Sequence, residues 1–159
     1  MAIINPDEKQ FEHLLAELVE IYDSAYKEEP QRSYRSPYPT GQYLRWLYDG
    51  DPHGFFVALE DDRPVGFVSI HSNWHERSGA YVGELHELAV RPDRSRKGIG
   101  TALIQQAEQF ARQQGRDIAT LWVGQHNTRA AELYRKLGFH CVRQAGVWTR
   151  MQKHLTSGQ

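Results

Sequence analysis

The stretch Glu84 to Ile104, ELHELAVRPDRSRKGIGTALI, is typical of a buried strand that runs into a basic turn and then into an amphipathic helix. Pro92 cannot donate to a sheet ladder, so the strand is predicted to end near that residue. Gly98 and Gly100 remove side chains at the start of the helix, where unpaired N–H groups and the helix dipole attract anions. The positive charges of the turn lie on Arg91, Arg94, Arg96 and Lys97. The stretch therefore predicts a phosphate site, and a pyrophosphate site in particular.

Two widespread phosphate motifs do not fit this turn. A Walker loop would have a lysine between its last glycine and a Ser or Thr, but Gly100 is followed directly by Thr101. A dinucleotide fingerprint would have a third glycine where Leu103 stands. The alternative to a phosphate site is a basic loop that is simply solvated.

The order of strand, turn and helix resembles the GNAT superfamily of N-acetyltransferases, whose loop Gln/Arg-x-x-Gly-x-Gly/Ala binds the pyrophosphate of acetyl-coenzyme A. The matching run is Ser95 to Gly100, with serine in place of the Gln or Arg, and Arg94 or Arg96 is expected to supply charge nearby. A second run, Asn127 to Phe139 (NTRAAELYRKLGF), resembles the segment Asn-x-x-Ala-x-x-Leu-Tyr-x-Lys-Leu-Gly-Phe of the same family. Two separated motifs in the family's order favour the resemblance more strongly than either motif alone.

The predicted fold is a single α/β domain over residues 1–155, followed by a frayed tail at residues 156–159. Apolar periodicity and turn residues predict a hairpin, then a strand–helix–strand crossover with parallel strands, then a second hairpin. The resulting GNAT-like fold has a mixed central β-sheet flanked by helices on both faces. Cys141 lies on a predicted strand and is interpreted as a core residue.

The resemblance also implies how acetyl-CoA is held. The pyrophosphate is expected to be surrounded, largely through backbone N–H groups, by Arg96, Lys97, Gly98, Ile99, Gly100 and Thr101. The backbone of Leu88, Ala89 and Val90 is expected to pair with the pantetheine arm, and one N–H there to contact the thioester oxygen. Asn127 is expected to contact the coenzyme from the next helix, and a plain helix N-cap explains this asparagine equally well.

Acetyl transfer to an amine needs a base for the amine and benefits from a proton donor for the departing thiolate. The resemblance implies that Tyr134 is the donor, and a packed core tyrosine is the alternative. Glu84 and Glu87 are the candidate bases, of which we prefer Glu84; exposed strand carboxylates are the alternative. Strict alternation along the strand places Glu84 and His86 on one face and Glu87 on the other, unless a bulge intervenes.

The segment Glu28 to Tyr48 is expected to form the acceptor side, because it combines aromatic residues with acidic ones. Such a surface suits a cationic amine through cation–π and charge contacts, but an aromatic packing element has the same composition. The aromatic residues concerned are Tyr34, Tyr38, Tyr43, Trp46 and Tyr48. The predicted acceptor is a primary amine of a small molecule, a peptide or a protein.

The composition disfavours several other classes. A net charge of −1 in 159 residues argues against a nucleic-acid-binding protein. A polar N-terminus without signal-peptide features, a single cysteine and the lack of any apolar run near ~20 residues predict a cytoplasmic protein without a membrane span. His71, His75 and His86 are irregularly spaced, so no metal site is predicted. The remaining alternative is a domain that binds acyl-CoA without catalysis, and a homodimer is compatible with all of these features.

Overall fold

The computed structural model describes residues 1–26 and 38–155 of the chain. The helices are α1 (Glu8–Ala25), α2 (Thr40–Gly50), α3 (Ile99–Gln113) and α4 (Thr128–Lys136). The strands are β1 (Ala2–Ile4), β2 (Phe55–Glu60), β3 (Arg63–His75), β4 (Tyr81–Val90), β5 (Ile118–Gly124), β6 (His140–Ala145) and β7 (Trp148–His154). Single 3₁₀ turns at Pro52–Gly54 and Pro92–Arg94 precede β2 and follow β4.

The seven strands form one mixed sheet in the order β1-β2-β3-β4-β5-β7-β6. Among the described strands, only β4 and β5 are parallel neighbours, and α3 makes the crossover between them, as the sequence predicts. The hairpin of β2 and β3 turns at Asp61 and Asp62, whose φ values of 50° and 63° are those of a type I′ turn. The second hairpin, of β6 and β7, turns at Gly146 and Val147.

Two hydrophobic cores lie on opposite faces of the sheet. On one face, α1 and α2 bury Phe11 and Leu44 against Phe67 of β3. On the other face, α3 buries Leu103 against Leu121 of β5, and α4 packs beside it. The predicted α/β fold, with helices on both faces of a mixed sheet, is confirmed.

Helix α1 carries a tyrosine to the site. The helix begins with a capping box, in which Asp7 accepts from the N–H of Gln10 at 2.8 Å and Gln10 accepts from the N–H of Asp7 at 2.9 Å. Its apolar face repeats at helical spacing, so Tyr22 is buried in the core and Tyr26 follows one turn later, just past the end of the helix. The hydroxyl of Tyr26 thereby reaches β4, where it lies 2.8 Å from Glu87.

Strands β4 and β5 separate soon after they meet. They pair only between residues 83–85 and residues 119–121. Beyond Leu85 and Leu121 the two strands diverge, so the backbone of β4 from Glu87 to Val90 has no parallel neighbour. The space that opens between the strands interrupts the hydrogen bonding between β4 and β5.

A β-bulge changes the direction of the side chains on β4. Ser69 of β3 pairs with Glu87, whereas Ile70 pairs with Leu85, so His86 is the extra residue. The bulge puts Glu87 in contact with tyrosines of α1 and α2, on the face that also carries His86. Strict alternation, which would have placed Glu87 on the opposite face, is therefore wrong at this point.

One further expectation, about the edge strand β6, is wrong, and two others concern residues that the structure does not describe. Cys141 is exposed, because every residue of the edge strand β6 is exposed, so its interpretation as a core residue is wrong. The predicted tail at 156–159, and residues 28–37 of the expected acceptor segment with Tyr34, lie outside the described residues.

Candidate active site

A cleft follows the gap between β4 and β5 and has three parts. The phosphate-side cleft, of about 760 Å³, lies between the basic turn and the N-termini of α3 and α4. The aromatic cleft, of about 650 Å³, lies on the side of α2 and β7. The junction, of about 50 Å³, shares Leu88 with the first and His86 with the second, so it lies where the two larger parts meet.

Only part of the charge on the basic turn faces the phosphate-side cleft. Arg96 lines the cleft, with its backbone in the left-handed region at φ 63°. Arg94 instead forms an ion pair of 2.8 Å with Glu60. Arg91 donates from Nε to the carbonyl oxygen of Pro64 at 3.0 Å. Of the two arginines expected to supply charge, Arg96 is therefore the one in position.

The predicted cradle residues divide between cleft and core. Gly98, Gly100 and Thr101 line the phosphate-side cleft at the start of α3. Ile99 is buried in the core, and Lys97 is exposed without lining the cleft. From β4, the residues Leu88, Ala89 and Val90 all line the cleft, on the strand segment that has no parallel neighbour.

Different structural features favour glycine at positions 98 and 100. Gly98 caps α3 with φ at 83°, a conformation that glycine adopts without strain. Gly100 is helical, and a Cβ built on it would lie 3.5 Å from Leu133 Cδ2 and 3.6 Å from Leu88 Cδ2. Leu88 and Leu133 both line the phosphate-side cleft, so a larger side chain at position 100 would occupy the cleft itself.

The N-terminus of α4 forms the facing wall. Asn127 caps this helix by accepting from the N–H of Ala130 at 3.3 Å, and it also lines the phosphate-side cleft and the junction. The N-cap role and a position beside a ligand are thus compatible. Arg129 donates from Nη2 to the hydroxyl of Ser95 at 3.3 Å, which brings a guanidinium to the position where serine replaces the Gln or Arg of the motif.

Glu87 is a buried carboxylate at the junction. Its two oxygens accept hydrogen bonds of 2.8 Å from the hydroxyls of Tyr26, after α1, and Tyr43, on α2. Burial raises the pKa of Glu87 to about 7, although the two tyrosine hydrogen bonds act in the opposite direction. A carboxyl group with this pKa can take up and release a proton near neutral pH.

Tyr134 of α4 lines the same junction and is buried. Burial raises the pKa of Tyr134, and the charge of Glu87 adds to the rise, so the phenol keeps its proton. No hydrogen bond engages this hydroxyl within residues 1–26 and 38–155. It is therefore a protonated donor that a ligand in the junction can use.

Glu84 is also buried, but it belongs to a network of charges. One carboxylate oxygen accepts from the hydroxyl of Thr120 on β5, and the other accepts from Arg150 on β7 at 2.8 Å. Arg150 also donates to Glu76, in the loop after β3. Glu84 thus joins β4 to β5 and β7 where it lines the aromatic cleft.

The aromatic cleft is lined by all 4 tryptophans of the chain, namely Trp46, Trp74, Trp122 and Trp148. The ring of His86 lies 5.3 Å from that of Trp46 and 4.5 Å from that of Trp74, measured between centroids. Burial lowers the pKa of His86 to about 3, with smaller effects of His71 and Arg150, so this imidazole is neutral. The cleft is therefore an aromatic-walled space with little polar surface.

The family is decided by comparison with known proteins. The sequence profile described as the acetyltransferase (GNAT) family matches residues 15–139. The chain belongs to the GNAT family.

Relatives and solved structures agree with this assignment. An uncharacterised N-acetyltransferase of Methanocaldococcus jannaschii is 39% identical over 142 residues, which make up 89% of this chain and 63% of that protein. The chain thus spans less than two thirds of this relative's length. A protein of known crystal structure from Pyrococcus horikoshii has a TM-score of 0.83 at 32% identity, covering 96% of this chain and 97% of the other. The PaiA N-acetyltransferase of Thermoplasma acidophilum, solved with coenzyme A, has the same fold, with a TM-score of 0.70 at 20% identity over 96% and 98% of the two chains.

Several side chains of the GNAT site are not evident from its motifs. Tyr26 is visible in the sequence only as part of the buried face of α1, and its contact with Glu87 depends on how α1 packs on β4. Arg129 lies inside the second motif but at a variable position. Thr120 and Arg150 belong to strands without any motif, so only the sheet order brings them to Glu84.

No three His, Cys, Asp or Glu side chains in residues 1–26 and 38–155 are grouped so that they could hold a metal ion. Over the same residues, no helix is long and apolar enough to cross a membrane.

Replacing Gly100 with valine tests the phosphate-side cleft of this GNAT protein. The side chain would project beside Leu88 and Leu133, so we expect the affinity for acetyl-CoA to fall at least about tenfold, as measured by titration calorimetry. Gly41→Val is the matched control, because the nearest atom to a Cβ there is a side-chain methyl of Val19 at 3.9 Å, outside the cleft. Unchanged affinity in a folded Gly100→Val variant would contradict this location of the ligand.

Replacing Glu87 with glutamine tests its protonation. In the unfolded chain Glu87 ionises near 4.5, whereas burial in the folded protein raises its pKa to about 7. The folded state therefore holds an extra proton between these values, and the stability from this group, present below pH 4.5, is lost as the pH rises to about 7. The wild type is expected to lose stability relative to Glu87→Gln over this interval, by on the order of 3 kcal/mol.

Urea unfolding of both proteins from about pH 4 to about pH 8 measures this difference. The opposite contribution of His86, whose pKa is lowered by burial, is common to both proteins and cancels in the comparison. Glu20→Gln, on the exposed side of α1, controls for the loss of one negative charge. A difference that stays constant with pH would show that folding does not shift the pKa of Glu87.

Proposed function

We propose that this GNAT protein transfers an acetyl group from acetyl-CoA directly to a primary amine. The observation that carries the proposal is the junction, which Glu87 and Tyr134 both line between a cleft beside a basic turn and a cleft with aromatic walls. A thioester entering from one side and an amine entering from the other would meet beside one proton acceptor and one proton donor. That pair is what aminolysis of a thioester requires.

Acetyl-CoA fits the phosphate-side cleft by its chemistry. Arg96 and the N-termini of α3 and α4 present positive charge and N–H groups to a pyrophosphate. Arg129 adds a second guanidinium on the facing wall. The unpaired backbone of β4 at Leu88 to Val90 is available to the amides of the pantetheine arm and to the thioester oxygen. PaiA, which shares the fold, was solved with coenzyme A, and this supports the same ligand class here.

Glu87 is the carboxylate that the geometry favours as base, in preference to Glu84. Glu87 lines the junction beside Tyr134, and burial raises its pKa to about 7, near the value that suits a base at neutral pH. The oxygens of Glu84 are engaged by Thr120 and Arg150, away from the junction. We assign Glu84 to holding β5 and β7 in place beside the amine.

Tyr134 is the proposed donor to sulfur. A phenol is a weaker acid than a thiol, and burial raises the pKa of Tyr134 further. A hydrogen bond to the departing thiolate is therefore the effective contribution of Tyr134, rather than complete transfer of its own proton. Its hydroxyl has no other hydrogen-bond partner in the described part of the chain, so nothing competes for it.

The reaction balances with these two residues. The ammonium form of the acceptor gives one proton to the carboxylate of Glu87, and the neutral amine attacks the thioester carbonyl carbon. The carbon–nitrogen bond forms, the carbon–sulfur bond breaks, and the second nitrogen proton passes to the thiolate that Tyr134 stabilises. The products are the acetamide and free coenzyme A, and Glu87 returns its proton to solvent.

The dependence of kcat/KM on pH tests the base. With Glu87 as base, the rate is expected to rise with pH with an apparent pKa of about 7, because the carboxylate form is active. Glu87→Gln should lower turnover by about 10²-fold or more and remove this inflection. Glu84→Gln is the matched comparison. Loss of the inflection in Glu84→Gln, with retention in Glu87→Gln, would assign the base to Glu84 instead.

Replacing Tyr134 with phenylalanine tests the donor and the alternative of acyl-CoA binding without catalysis. We expect turnover to fall by about 10²-fold while the affinity for acetyl-CoA changes less than about twofold, because the lost hydrogen bond forms as sulfur departs. Release of free thiol and titration calorimetry measure the two quantities, and Tyr81→Phe, exposed and outside the cleft, is the control. Equal turnover in Tyr134→Phe would rule out the donor role. Tight binding of acetyl-CoA by the wild type, without turnover of any amine, would favour the alternative.

A further inference from the structure

We infer that the acceptor is a primary amine attached to a flat aromatic group, which stacks between the tryptophan walls of the aromatic cleft. The chemistry is that of an arylalkylamine, either as a free molecule or as the first residue of a peptide. This inference rests on the proposed acetyl transfer, because it names the acceptor of that reaction.

The first argument is the placement of the tryptophans. Trp46 and Trp74 lie on the side of β3 and α2, where they pack on His86. Trp122 and Trp148 lie on β5 and β7, across the gap in the sheet. Within the described residues no ring contact joins the first pair to the second. The two walls therefore leave a space between them, and a planar group can contact aromatic rings on both sides.

The second argument is the exposure of these rings. Trp46 is 51% exposed and Trp122 is 37% exposed. Large aromatic side chains that face solvent from both sides of a cavity gain from being covered by an apolar ligand. A cavity of about 650 Å³ has room for a ring system and the short chain that leads to its amine.

The third argument is the distribution of charge, which disfavours a second cationic group on the acceptor. Glu84 is the only charged side chain that lines the aromatic cleft in the described parts of the chain, and it is ion-paired with Arg150. The guanidinium carbons of Arg143 and Arg150 each lie 5.0 Å from the ring centroid of Trp122, so positive charge lies beside this wall of the cleft. A distal ammonium in the cleft would find no uncommitted carboxylate among the described residues that line it.

The intrinsic fluorescence of the protein gives a direct test, since all 4 of its tryptophans line this cleft. The protein saturated with coenzyme A is titrated with 2-phenylethylamine, with its saturated analogue 2-cyclohexylethylamine, and with 1,4-diaminobutane. We expect 2-phenylethylamine to bind about tenfold more tightly than either of the other two. Equal or tighter binding of 1,4-diaminobutane, or no fluorescence change with any amine, would overturn the inference.

A variant and a control locate the effect. Trp46→Leu removes an exposed ring without opening the core, so it should weaken 2-phenylethylamine about tenfold and leave the affinity for coenzyme A unchanged. Tyr81→Leu removes an exposed ring outside the cleft and should change neither affinity. Equal binding of 2-phenylethylamine by Trp46→Leu and the wild type would place the aromatic group elsewhere and refute the stacking.

Two further arms separate the possible outcomes. Titration with the tripeptides Phe-Gly-Gly and Ala-Gly-Gly tells a peptide source from a free amine, since preference for Phe-Gly-Gly over 2-phenylethylamine assigns the peptide. Thiol release from acetyl-CoA is then measured with the tightest amine. Tight aromatic binding without thiol release would support the ligand class and refute acetyl transfer, whereas faster turnover of 1,4-diaminobutane would refute the ligand class and support acetyl transfer.

Discussion

The separation of β4 from β5 is the constraint on which the rest of the molecule depends. Two parallel strands pair over three residues each and then part, so the hydrogen-bonding groups on this side of the end of β4 have no neighbouring strand. The helices that follow β4 and β5, α3 and α4, begin at the same end of the gap and bring their N–H groups to it. Backbone groups of β4, α3 and α4 thus form much of the wall of the phosphate-side cleft.

The bulge at His86 gives two neighbouring carboxylates different environments. Glu84 is joined to a guanidinium and a hydroxyl across the sheet, and Glu87 is surrounded by two phenols and apolar side chains. Ion pairing in one place and burial without a counter-ion in the other are the basis of the different roles that we propose for Glu84 and Glu87. Without the extra residue, strand alternation would direct Glu87 toward α3, where the core is apolar.

The sequence is informative wherever local pattern decides the structure. The hairpins, the crossover helix and the turn at Gly98 are recognisable because turn residues and apolar periodicity are local signals. The bulge is not recognisable, because it depends on how β3 and β4 align. The partners of Glu84 and the gathering of the tryptophans depend on sheet order, which joins residues as distant as 84 and 150. For the same reason, the sequence alone favours Glu84 as base, because the tyrosines that surround Glu87 are brought to it only by the folded structure.

The two phenols that bind Glu87 come from different helices, Tyr26 from the end of α1 and Tyr43 from α2. Each donates to a separate oxygen of the carboxyl group, so Glu87 links the two helices to β4. Protonation of one oxygen adds a donor there, and the hydroxyl group that faces it can rotate to accept a hydrogen bond from that donor. Both protonation states of Glu87 can therefore keep a hydrogen bond to each phenol, so the carboxyl group can exchange a proton while α1 and α2 stay packed against β4.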